Sequence, residues 1–487
     1  MNFTETAFLP FIFVVFALWA ACRNAERLRL STLLTASLFA YGFHRWSLLV
    51  LLLAYCVVNW ALGIRIAQSR RSRAVLTFGV CLNLASLAFW KYTPLLARTI
   101  QGLFQATSGA ESAAAIDWLL PWGISFYSFT CIAYLVDIHR GDIPAEKNLY
   151  RFTLYITFFP HLVAGPILRG REFLDALQPG ALPDRPTAVF EASMLIARGA
   201  FKKLVLANRI AAAIDPFFAH VADESTAGIW SLPFVYLYAF QIYFDFSGYT
   251  DMARGFGLLF GFRWPENFTA PYLAESVREF WQRWHITLSK FLRDYLFIPL
   301  GGSRGGAART CANLLITMLL GGLWHGAKWS FLFWGGLHGA FLIAHRFWST
   351  LPIARRLRDQ TGPMRSVYRV FAVALTFHLV CLAWCFFRLD ELSASLACVA
   401  KWVPSWDKPL LAGGAADWSL WSVLVGYGLV VGATARIGIE LRDIDACSIE
   451  EAPMRSGLAC GAIASLLLMA FALSPGGPMP AFIYFQF

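Results

Sequence analysis

Long apolar runs decide what this chain can become. They recur at 46–64, 75–96, 118–136, 192–214, 229–246, 330–348 and 367–387, with shorter or later ones at 8–21, 31–43, 311–323, 418–435 and 457–473. A bilayer core needs about 20 apolar residues to cross it as a helix. In lipid, only helices and closed barrels satisfy every backbone polar group. Barrel strands are segments of about ten residues with alternating polarity, and these runs are too long and too continuous for that. The expectation is an all-α polytopic membrane protein, one domain over residues 1–487, with about 11–13 membrane-associated helices. Composition agrees. Of 487 residues, 58% are hydrophobic and only 15% charged, where a soluble domain carries about 25%.

The formal net charge is +11. The basic residues fall in short clusters between apolar runs, such as Arg65, Arg70, Arg71 and Arg73, then Arg355, Arg356 and Arg358. That is the pattern of cytoplasmic loops. With no soluble basic domain, nucleic acid is excluded as a partner and the lipid bilayer is the surface met. No basic stretch precedes the first run, and Arg23, Arg27 and Arg29 follow it, as for a first spanning helix rather than a cleaved leader. No internal repeat is visible, which weighs against an inverted-repeat transporter.

Three stretches do not read as plain spans. Residues 159–166, FPHLVAGP, place two prolines and a glycine around His161. Irregular backbone at membrane depth is tolerated only where protein or a watery cavity surrounds it, so a re-entrant, cavity-lining segment is expected. Residues 243–253, YFDFSGYTDMA, hold Asp245 and Asp251; a break is expected there, with Arg254 and Arg263 as candidate partners. Residues 275–299 read as one amphipathic interfacial helix. Arg278, Gln282, His285, Ser289 and Arg293 recur at three-to-four spacing and so share one face of it.

Chemistry is sought among intramembrane ionisable groups. His325 leads, because Gly321, Gly322 and Gly326 give it backbone room and imidazole suits a general base near neutral pH; the competing reading is a packed core histidine. His285 follows, in a polar wall of Arg278, Gln282 and Ser289; the competing reading is a solvated face of an interfacial helix. His338 lies thirteen residues beyond His325. On one unbroken helix the two would stand about 20 Å apart on different faces, so His338 is placed as a lining residue with Trp324, His161 and Asp245. The ten cysteines show no ligand spacing of the CxxC kind, and no metal is expected. Neither is a serine nucleophile elbow.

Several motifs together resemble the membrane-bound O-acyltransferase superfamily, in its bacterial alginate O-acetylation branch. They are FWQRWHITLS at 280–289, RDYLFIPLGG at 293–302, WHGA at 324–327 and LHG at 337–339. The stretches at 159–166 and 243–253 fit as well, with PENF at 265–268, WCFFR at 384–388 and FIYFQF at 482–487. The family core falls at roughly 118–348. The resemblance implies a helical disc around a central funnel or tunnel, with the family's catalytic histidine at His325 and its second motif histidine at His285. It implies an O-acyltransferase of a bacterial inner membrane. The branch moves acetyl groups from a cytoplasmic donor, acetyl-CoA, toward a periplasmic SGNH-type acetyltransferase and a polysaccharide acceptor, alginate first, with cellulose or peptidoglycan as alternatives. Basic residues such as Arg278 and Arg283 would attract the donor's phosphates. A transporter of polysaccharide or acyl precursors, or a scaffold recruiting the periplasmic enzyme, are the rival readings.

Overall fold

The structure, a computed structural model, describes residues 1–403 except 109–119, 183–187 and a few single positions, together with residues 421, 422 and 425. The expected runs at 418–435 and 457–473 and the motif at 482–487 therefore lie outside the described residues or nearly so. Among the described residues every regular element is helical. The helices are α1 (Phe8–Ala21), α2 (Glu26–Gly42), α3 (Trp46–Gln68), α4 (Ser72–Ser108), α5 (Ile124–Arg140), α6 (Leu149–Thr157), α7 (Phe159–Leu162), α8 (Gly170–Leu174) and α9 (Val189–Ala200). They continue as α10 (Asn208–Ala219), α11 (Leu232–Leu259), α12 (Val277–Arg283), α13 (Ile286–Leu292), α14 (Gly306–His325), α15 (Trp329–Thr350), α16 (Pro352–Arg358), α17 (Gly362–Arg388) and α18 (Leu392–Ala400). Four helical stretches among the described residues are long and apolar enough to cross a membrane: Trp46–Gln68, Ser72–Thr93, Gly306–His325 and Gly362–Arg388.

The chain divides into two compact units, one of 1–196 with 249–265 and one of 197–248 with 266–487. In the first, α3, α4 and α5 are fastened by polar groups buried among apolar ones. Asn83 Nδ2 donates to Asn59 Oδ1 at 2.7 Å, and the Tyr55 hydroxyl lies 3.1 Å from Ser128 Oγ. With no water to compete inside lipid, such bonds hold helices in register. His161 belongs to this unit. Its Nε2 lies 3.0 Å from the Tyr155 carbonyl, and its ring packs among Phe158, Phe173 and Trp264. The predicted irregularity is real, since α6 stops at Thr157 and a single turn, α7, carries His161.

In the second unit, α14 and α15 form a tight antiparallel hairpin. A Cβ on Gly335 would stand 2.3 Å from the Met318 carbonyl oxygen, and one on Gly322 would stand 2.2 Å from that of Phe331. Glycine at both places is what lets the two backbones touch. α17 closes over α15 through Trp384, whose ring centroid lies 6.1 Å from that of Trp334.

Two sequence expectations fail here. Residues 243–253 do not break; α11 runs through them unbroken. Arg263, expected as a partner of these carboxylates, is engaged elsewhere. Asp245 pairs with Lys203 at 2.5 Å, both side chains buried, while Arg263 pairs with Glu191. Lys203 sits on a π-helical turn, Phe201–Ala207, where an extra residue per turn re-aims the side chains. α4 runs on through the polar segment from Thr99 to Ser108.

Candidate active site

The expected single helix over 275–299 is three pieces: α12, α13 and a π turn, Arg293–Phe297. Ser276 caps α12 by accepting from the Glu279 N–H. α12 ends at Arg283, and His285 then takes the left-handed conformation, φ 42° and ψ 55°, as it starts α13. A positive φ on a bulky non-glycine residue costs of order 1–3 kcal/mol and persists only where surrounding structure enforces it.

The enforcing structure is the segment around Asn267. Ile286 N–H donates to the Asn267 carbonyl and Thr269 N–H to the Arg283 carbonyl, both at 3.0 Å, so the backbone opened by the break is satisfied across the loop. The Asn267 side chain does more. Its Oδ1 accepts from the Thr287 backbone N–H at 3.0 Å and from Thr287 Oγ1 at 3.0 Å, and lies 3.2 Å from His285 Nδ1. A backbone N–H can only donate, so it identifies the asparagine atom as oxygen. His285 Nδ1 must then carry the hydrogen, and Nε2 carries the lone pair.

The break also undoes the expected common face. His285 is fully buried, whereas Gln282 is exposed. Ser289 Oγ is spent on the Trp284 carbonyl at 3.2 Å. Arg283 pairs with Glu279 at 2.6 Å, and Arg293 with Asp294 at 2.6 Å. A residue in the left-handed region turns the chain out of helical phase, so spacing counted through position 285 no longer predicts a face.

His325 ends α14 and is buried. Its ring packs edge-on to Trp334 at 5.0 Å, to Phe387 at 5.0 Å and to Trp324 at 4.8 Å. The Trp324 ring also contacts His285, at 6.2 Å. Trp324 thus touches both imidazoles that sequence reasoning singled out. His338 differs from its expectation as well. The helix stops at His325 and restarts at Trp329, so the separation derived for an unbroken helix does not apply. Trp334 contacts both rings, at 4.8 Å from His338 and 5.0 Å from His325. Trp281 Nε1–H donates to His338 Nδ1 at 3.3 Å, which places the His338 hydrogen on Nε2. That nitrogen is buried and meets no hydrogen-bond partner among the described residues. The two rings therefore carry opposite tautomers, His285 an acceptor at Nε2 and His338 a donor at Nε2.

Sequence reasoning missed Asn267, Thr287, Trp281 and Trp334 as site residues. Asn267 stood inside a recognised motif, but nothing in its spacing from His285 pointed to contact. The string GGSRG at 301–305 does satisfy the letters of a serine elbow. It lies in a turn with Gly301, Gly302 and Gly305 at positive φ, and the strand that an elbow requires does not precede it.

Comparison with known proteins supplies the family. The profile of the membrane-bound O-acyltransferase family matches residues 143–383, which include His285, His325, His338 and Asn267. The "Probable alginate O-acetylase AlgI" of Azotobacter vinelandii is 40% identical over 401 residues, 81% of this chain and 76% of that protein. The protein of the same name from Pseudomonas aeruginosa is 39% identical, over 81% of this chain and 73% of its own. The peptidoglycan O-acetyltransferase of Helicobacter pylori is 35% identical, over 80% and 76%. Helical membrane architecture, buried histidines and these likenesses converge: the chain belongs to the membrane-bound O-acyltransferase family and is an O-acyltransferase.

Proposed function

We propose that this protein takes an acetyl group from acetyl-CoA on the cytoplasmic side of a bacterial inner membrane and delivers it for O-acetylation of an exopolysaccharide, alginate first. A periplasmic SGNH-type acetyltransferase is the proposed partner that completes delivery. The observation that carries the chemistry is the pair of buried imidazoles on Trp324, one of them held in a defined tautomer by Asn267.

In the proposed step an acceptor hydroxyl oxygen forms a bond to the thioester carbonyl carbon as the carbon–sulfur bond breaks. His325 takes the hydroxyl proton and passes it to the departing thiolate, so the imidazole ends as it began. His285 Nε2 can only accept, so its role is to hold a hydroxyl or amide hydrogen of a substrate in line. Burial excludes water that would otherwise hydrolyse the thioester. Trp324, His338 and Arg278 line or approach this path; Gln282, Ser289, His161 and Asp245 are proposed only as more distant contributors, given the contacts described for each.

The test is His325→Ala, with protein abundance in the membrane matched to the parent. Acetyl ester on the polysaccharide should fall to background. Retention of acetylation would exclude the assignment and favour a transporter or scaffold. Scoring ester on alginate and on peptidoglycan in the same cells separates the two acceptors suggested by the relatives' names.

A further inference from the structure

α15 carries three buried polar groups on one face. Ser330, Trp334 and His338 follow at spacings of four residues, which keeps them within about 80° of one another around the helix. All three side chains are buried. Ser330 Oγ, Trp334 Nε1 and His338 Nε2 meet no hydrogen-bond partner among the described residues. Buried polar groups nearly always have one, and a buried donor without one works against folding. A helical serine can return its hydroxyl to the carbonyl four residues back. Ser330 has no such carbonyl in helical register, because α15 starts at Trp329 and Gly326 is extended, with φ −173°. Three groups of this kind in file make a face built to meet a ligand.

Two of the three are committed to donation. A tryptophan indole has a donor and no acceptor. Trp281 Nε1–H, 3.3 Å from His338 Nδ1, therefore makes that nitrogen the acceptor and leaves the hydrogen on Nε2. Trp334 likewise offers only its N–H. The file also reaches the reacting centre. The Trp334 ring lies 5.0 Å from that of His325 and 4.8 Å from that of His338. The Trp324 ring lies 4.8 Å from His325 and 6.2 Å from His285. In this chain of ring contacts His325 stands between an acceptor, His285 Nε2, and the donors of α15.

We propose that Trp334 Nε1–H and His338 Nε2–H bind the carbonyl oxygen of the acyl group and stabilise the oxyanion formed during transfer. As the acceptor oxygen bonds to the carbonyl carbon, the C=O electron pair moves onto the carbonyl oxygen. It returns as the carbon–sulfur bond breaks, and the proton passes through His325 as above. Such an oxyanion needs donors about 2.7–3.1 Å away, fixed before the reaction begins. Two N–H groups one turn apart on a packed helix, one of them held in its tautomer by Trp281, meet that need. Trp281 is then a positioning residue, while Trp334 and His338 are catalytic. This rests on the acyl-transfer reading above and adds which groups take the developing charge.

The experiment compares acetyl-CoA with its dithioester analogue, in which sulfur replaces the carbonyl oxygen and accepts hydrogen bonds poorly. Inverted membrane vesicles from the producing cells keep acceptor and partner proteins in place, and the acyl groups transferred are counted at matched protein abundance. Trp334→Phe keeps a ring and loses the N–H; His338→Leu loses the donor. Each should lower kcat for acetyl-CoA by about 10²–10³-fold. KM should stay within about threefold, since the interaction is made in the transition state. The preference for oxygen over sulfur should shrink in both variants. His338→Gln, whose amide can accept from Trp281 and still donate, should recover part of the rate, and it carries the test with His338→Leu if Trp334→Phe fails to accumulate. Parental kcat, a raised KM at parental kcat, or a slower rate with an unchanged oxygen-to-sulfur preference would overturn the proposal; the last would assign these residues to packing alone. His325→Ala should abolish transfer from both donors. Transfer surviving His325→Ala would sink the acyl-transfer reading itself, whereas its loss there beside parental rates in Trp334→Phe and His338→Leu would sink only the oxyanion assignment.

Discussion

Asn267→Leu is the sharpest perturbation of the site, because one oxygen holds two residues. Three donors converge on Asn267 Oδ1, from the Thr287 backbone, the Thr287 hydroxyl and His285 Nδ1. Thr287 and His285 are both buried. A buried donor left without its acceptor costs about 1–3 kcal/mol. The hydroxyl can rotate toward another acceptor, so two donors bear most of the loss, about 2–6 kcal/mol. The left-handed His285 stores strain of order 1–3 kcal/mol that those bonds no longer restrain, so the turn relaxes and Nδ1–H is no longer enforced. Partners that orient a functional imidazole in this way are worth about 10–100-fold in function. Acetyl transfer should fall by at least that factor with the protein still inserted and monodisperse. Asn267→Asp is the counterpart. Its carboxylate accepts the same three bonds, so the turn should survive. The negative charge favours the imidazolium form of His285, which cannot accept at Nε2, and neutral His285 is needed. The acid limb of the pH–rate profile should therefore move to higher pH, with activity recovered as pH rises. Rates are measured on purified protein with radiolabelled acetyl donor across pH 5–9, a window chosen on the order of the unperturbed histidine range. Parental rates in Asn267→Leu, or an unshifted profile in Asn267→Asp, would refute the tautomer argument.

Two further predictions concern stability. Gly335→Ala places a Cβ 2.3 Å from the Met318 carbonyl, so the α14–α15 hairpin must part, at a cost of about 1–3 kcal/mol for overpacking; a lowered melting temperature in detergent reads it, and Gly336→Ala, whose nearest neighbour is a Leu319 methyl at 3.6 Å, should be close to silent. Asp245→Leu removes the carboxylate paired with the buried Lys203 ammonium and should destabilise by about 3–5 kcal/mol, whereas the double change with Lys203→Leu should recover much of that loss; equal melting temperatures for the single and double variants would deny the coupling.

What the sequence alone determined was the solvent and, through it, the helical class. Runs of twenty apolar residues with few charges have only one way to satisfy their backbone in lipid, and no tertiary contact is needed to see it. His325 was also legible, since a histidine framed by glycines and tryptophans inside such runs is rare enough to stand out. His285 stood out as a second candidate, and the family motifs added the acyl-transfer reading. The tertiary structure decided what each histidine can do. Helical spacing assumes an unbroken helix, and the left-handed turn at His285 rotates the phase, which separates it from Gln282 and buries it. The stop at Gly326 folds α15 back along α14 and sets His338 on the same indole as His325. Asp245 pairs with Lys203, forty-two residues away, and Arg263 turns to Glu191 instead. Tautomers depend on single partners such as Asn267 and Trp281, eighteen and fifty-seven residues from their histidines. Local periodicity carries no information about such distant contacts; they exist only once the helices have packed.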